Sequence, residues 1–114
     1  MAKTQFGIIE DIRESQGYFY DPERYNCIAI ADDIYIDDWW ERLVLMKTYF
    51  HNLKRPELGL ARYGITLIPP ESLPAFLEIV LSDKRKNEDE NLIALAEKIQ
   101  DAINRGKYMI HFGV

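Results

Sequence analysis

A chain of 114 residues that is 47% hydrophobic and 29% charged has the size of one folding unit and lies outside the composition of disordered chains. Its apolar runs, such as Ile28 to Ala31 and Leu43 to Met46, fall far short of the roughly 20 residues that span a bilayer. A net charge of −5 disfavours general binding to nucleic acid or to anionic membrane.

The charge is unevenly spread. Met1 to Glu41 holds 10 acids against 3 bases, whereas Arg42 to Val114 holds 9 against 11, and such a field favours a basic protein as partner. Cys27 is the only cysteine, which excludes an internal disulfide and a multi-cysteine zinc site, and its place between Tyr25 and Ile28 predicts a buried, inert thiol. Lys3 is followed by only a few apolar residues before Glu10 and Asp11, so no signal-peptide core is read there and a cytoplasmic location is expected.

In chain order, Gln5 to Ile9 predicts a strand, Gly17 to Tyr20 a short second one, and Asp21-Pro22-Glu23-Arg24 a type I turn. Tyr25 to Ala31 is apolar on both alternating faces and predicts a central strand. Asp38 with Glu41 has capping-box spacing, and Trp39, Leu43, Met46, Phe50 and Leu53 then draw one stripe, predicting a helix that ends before Pro56. Tyr63 to Ile68 predicts a further strand, stopped by Pro69-Pro70. Pro74 belongs in a first helical turn, so a helix over Leu73 to Leu81 is expected, capped by Ser72. After a charged loop over Ser82 to Lys86, Asn87 and Glu90 have cap spacing for a last helix with a stripe from Leu92 to Ile103. Gly106 ends it as the left-handed residue, and Tyr108 to Phe112 closes the chain as a strand.

This order predicts one domain over residues 1–114, α/β or α+β, with a mixed sheet of four to five strands and three helices packed on it. Helical crossovers suggest three parallel strands, with the N-terminal strand antiparallel on an edge. Ligands would then gather at the carboxyl ends of the strands, near Asp32 and Asp33, Ile68 to Pro70, and Gly113 with Val114.

Ala31 to Glu41 is the most unusual segment, with five carboxylates and three large aromatics in eleven residues. Read plainly, Asp37 and Asp38 cap a helix, the tryptophans are core, and Asp32 and Asp33 sit in a solvated turn. A calcium loop is disfavoured, because the acids do not alternate and no glycine makes the turn. The remaining reading is a partner-binding surface. Asp32, Asp33, Asp37 and Asp38 would supply the field, and Tyr35 with Trp39 or Trp40 the anchors, since adjacent helical residues point about 100° apart and cannot both face one core.

Other chemistry has less support. His51 and His111 lack metalloprotease spacing, Ser15, Ser72 and Ser82 lie in turns or caps, and no phosphate loop exists among the glycines, so no cofactor and no metal are expected. Lys84-Arg85-Lys86 reads as a solvated loop, and Arg42, Lys47, Lys54, Arg55 and Arg62 as bases able to pair with the acidic half.

Arg62 to Leu73 and Lys107 to Gly113 resemble the corresponding tracts of a loose group of small uncharacterised proteins from Gram-positive bacteria. In charge and size the chain is similar to barstar-like immunity proteins, which implies neutralisation of a toxin through an acidic surface. The leading expectation is therefore a non-enzymatic protein-binding module, an immunity protein or antitoxin-like inhibitor. The alternatives are a small-molecule or enzymatic cleft at the strand ends built from Tyr63, Tyr108 and His111, and a structural subunit that forms a homo-oligomer.

Overall fold

A computed structural model describes residues 2–12 and 22–114; the strand expected over Gly17 to Tyr20 lies outside them. β1 (Lys3–Ile9), β2 (Ile28–Ala31), β3 (Lys47–Phe50), β4 (Pro56–Leu58), β5 (Ile65–Ile68) and β6 (Tyr108–Phe112) form one sheet in the order β2-β1-β6-β5-β3-β4. Every neighbouring pair is antiparallel. With α1 (Asp37–Leu43), α2 (Leu73–Ser82) and α3 (Glu90–Arg105), the class is α+β.

Several expectations are corrected. The sheet has six strands among the described residues, none parallel, so the argument placing ligands at parallel strand ends does not apply. β1 is interior, and the strand expected to be central, β2, is an edge, with β4 the other. Ile28, Ile30 and Ala31 of β2 all join the cluster under the helices, and no residue of the strand joins the opposite one. Ile30 and Phe6 pack under the helices, while Cys27 belongs to the opposite cluster with Ile9, Leu67, Ile110 and Phe112.

The helix whose stripe was expected to continue through Leu53 and end before Pro56 ends at Leu43. Leu45 and Met46 donate backbone hydrogen bonds to Arg42 and Leu43 in a closing turn, and Lys47–Phe50 leaves it as a strand paired on both sides, with β4 and β5. Thr48, Tyr49 and Phe50 are β-formers, and two ladders outweigh the helical period that the apolar stripe also satisfies. Trp39, Leu43 and Met46 are buried as that stripe requires, but Leu53 is exposed in the β3–β4 hairpin loop.

The helix starts differ too. α1 has no side-chain cap because the chain enters it already coiled, through a wide π-helical turn at Asp32–Ile36. Ser72 stands at the N-cap of α2 as expected, but its hydroxyl bonds no amide of the first turn and donates instead to the Lys47 carbonyl at 2.6 Å, tying α2 to β3. The cap of α3 is Asp89, two residues after Asn87, and its carboxylate accepts from Asn91 N at 2.9 Å. Gly106 does end α3 in the left-handed region, with φ of 64°.

His111 shows how the interior is specified. It is fully buried on the helix-facing side of β6, 4.9 Å from the Phe6 ring. Ala61 N donates to Thr66 Oγ1, so the Thr66 hydroxyl hydrogen is free to donate to His111 Nδ1 at 3.2 Å. On the other side Nε2 meets Thr4 Oγ1, whose hydroxyl donates onward to the Phe112 carbonyl. This chain of donors assigns a neutral ring protonated at Nε2. Burial pushes its pKa down from 6.5 to about 3. Between those values the unfolded chain binds a proton that the folded chain refuses, so stability falls as pH drops through the window, by up to about 1.4 kcal/mol per pH unit. Urea unfolding at pH 7, 5.5 and 4.5 should show this slope, and His111→Gln should flatten it whatever its own effect on stability.

Candidate functional site

Two arginines organise the acidic segment, each holding two carboxylates and covering an aromatic ring. Arg62, in the turn before β5, donates from Nε and Nη2 to Asp32 Oδ2 at 3.1 and 2.9 Å, pairs with Asp37, and lies 5.5 Å over Trp40. Arg85, in the loop between α2 and α3, pairs with Asp83 at 2.7 Å and Asp38 at 2.8 Å and lies 4.7 Å over Tyr35. The π-helical turn and α1 are thereby clamped from both sides, and planar guanidinium groups suit both the carboxylates and the rings.

The aromatics below the clamps are mostly enclosed. Trp39 is buried in the core and donates from Nε1 to Asp83 Oδ2 at 2.9 Å. Tyr35, also buried, stacks 5.5 Å from Trp39 and donates its hydroxyl to Asp89 at 2.6 Å. Burial and that carboxylate push Tyr35 up to about 12, so it keeps its proton. Hydrogen bonds from Arg85 hold the Asp83 carboxyl far below the usual range, so it stays ionised. Trp40 is half-buried beneath Arg62. Of the two tryptophans, therefore, only Trp40 can reach a partner.

Asp32 is buried, and its second oxygen, Oδ1, has no hydrogen-bond partner. Asp37 and Asp38 keep more than half of their side-chain surface open while paired. Asp33, Glu41, Glu88 and Glu90 are exposed and form no ion pair among the described residues. Glu88 and Glu90 line a shallow recess of about 600 Å³ with Tyr35 and Arg85. The π-helical turn, α1, Arg62 and the 83–90 loop together carry nine acids against five bases, four of the molecule's five net negative charges.

The cleft residues do not meet. Tyr63 stands exposed in the turn before β5, His111 is sealed under the helices, and Tyr108 lies on the opposite sheet face from His111, at the other end of β6 from the Tyr63 turn. His51 is exposed in the β3–β4 hairpin loop with φ of 68°. Cys27 is half-buried rather than buried, and burial pushes its thiol up to about 11, which keeps it protonated. Among the described residues no group of three His, Cys, Asp or Glu side chains is placed to hold a metal ion, and no helix is long and apolar enough to cross a membrane.

Sequence reasoning missed Arg85, Asp83 and Asp89. The Lys84-Arg85-Lys86 run looked solvated, and the one local signal was Asp83 two residues before Arg85, a spacing that lets the carboxylate accept from the Arg85 backbone at 2.9 Å. No protein-family model, curated protein or solved structure matches the chain.

Proposed function

We propose that the chain is a non-enzymatic protein-binding module, an immunity protein or antitoxin-like inhibitor, whose turn–α1–83–90 surface docks on a basic protein. The observation that carries this reading is the group of exposed carboxylates without counter-ions, Asp33, Glu41, Glu88 and Glu90, around a scaffold that arginine clamps hold rigid. The clamps neutralise Asp32 and part of Asp37 and Asp38, so Asp32 acts in positioning while the other two, more than half exposed, also face a partner. The field that steers a partner comes from the four unpaired acids. Trp40 and the Arg62 guanidinium provide the residue types that dominate binding energy at interfaces.

The test is photo-crosslinking in cells of the source organism, with p-benzoylphenylalanine replacing Ile34, which is 37% exposed in the acidic turn, or replacing Leu81, 44% exposed on the α2 surface. The expected result is one basic protein joined at position 34 and not at 81. No adduct at 34, or an acidic protein there, would contradict the proposal.

A further inference from the structure

Tyr63 is 79% exposed, more than any other large apolar side chain described, yet its turn is tied down from several directions. Gly64 N donates to the Ala61 carbonyl at 3.1 Å, and Ala61 N donates to Thr66 Oγ1 at 2.7 Å. The end of the chain braces the same turn, with Gly113 N donating to the Gly64 carbonyl at 2.8 Å and Val114 N to the Arg62 carbonyl at 3.0 Å. The neighbouring side chain, Arg62, is fixed on Asp32 and Asp37. An aromatic ring left in water forgoes its burial free energy, and nothing among the described residues recovers it. A ring on a rigid stem, with only two torsions of its own, loses little entropy when it docks.

Resting on the binder reading above, we infer that Tyr63 is the anchor of this surface, inserting its ring into an apolar recess of the basic partner while lysines and arginines around that recess meet Asp33 and Asp37. The arrangement is an aromatic centre with a charged rim: Tyr63 is one residue from the Arg62 that holds Asp37, and Asp33 follows the Asp32 that Arg62 also holds. Complementary charge at the rim orients the partner, and the desolvated anchor slows its release.

Replacement of Tyr63 by p-benzoylphenylalanine should yield an adduct with the same basic protein that is captured from position 34. With the purified pair, Tyr63→Ala should raise the dissociation rate about 30-fold, as loss of a hot-spot side chain does, and leave the melting temperature unchanged. Tyr63→Phe should stay within about three-fold of wild type, because the ring is what fills the recess. An adduct at 34 with none at 63, or wild-type dissociation of Tyr63→Ala, would overturn the anchor while the acidic docking surface stands. An adduct at 63 alone would keep the anchor and sink the acidic-turn reading. No adduct at either position would sink both, and a wild-type homodimer that Tyr63→Ala abolishes would replace the foreign partner with a second copy of this chain.

Discussion

Arg62→Ala should lose about 3–5 kcal/mol of stability, because it strands a buried charge. Asp32 has 5% of its side-chain surface exposed, both of its described bonds to a cation come from Arg62, and Oδ1 already has no partner. Arg62→Lys should recover only part of the loss, since an ammonium lacks the fork that reaches Asp32 and Asp37 while lying over Trp40. Removing both charges, with Arg62→Met and Asp32→Leu, should be far milder than Arg62→Ala, because no ion then remains in the interior. Urea midpoints for the single and double variants check this. If Arg62→Ala is as stable as wild type, Asp32 is not the buried ion that the clamp requires.

Gly113→Ala should cost about 2–3 kcal/mol, the range in which overpacking and lost hydrogen bonds fall. A Cβ at Gly113 would stand 2.1 Å from the Arg62 carbonyl oxygen and 2.9 Å from that of Ala61, so the chain end must move away, and the Gly113–Gly64 and Val114–Arg62 bonds go with it. Gly106→Ala is the control. A Cβ there meets nothing within 4 Å but sits at φ of +64°, so its cost is conformational, about 1 kcal/mol. Because Gly113 and Arg62 brace one turn, Gly113→Ala and Arg62→Ala together should be less damaging than their sum. Full additivity would mean that the chain end and the clamp are independent.

The parts of the fold that were legible in the sequence are those written locally. β1, β6 and α3 could be read because an apolar run or a 3.6-residue stripe lies between clear boundaries, with Gly106 closing α3. β3 and β4 could not, because Trp39, Leu43, Met46 and Phe50 satisfy a helical period while Thr48 to Phe50 equally suit a strand, and pairing with β5 made the choice. Strand direction was illegible for the same reason: β1 meets β6 from the far end of the chain, and no local signal encodes that meeting. The acidic segment was visible in the sequence, and Arg62 stood among the bases able to pair with it, but which carboxylates it would hold, and the part played by Arg85, were not. Arg62 lies 30 residues from Asp32, and Tyr35 meets Asp89 across 54. The segment's five carboxylates therefore fold into a clamp with two of them, Asp33 and Glu41, left without an ion pair among the described residues.

The association rate of the captured pair, measured by surface plasmon resonance from 50 to 500 mM NaCl, tests the account most directly. Steering by the unpaired acids predicts that the wild-type rate falls about ten-fold or more over that range, and that Asp33→Lys with Glu41→Lys slows association by a similar factor at the lowest salt while dissociation barely changes. An association rate indifferent both to salt and to these two charge reversals would contradict it.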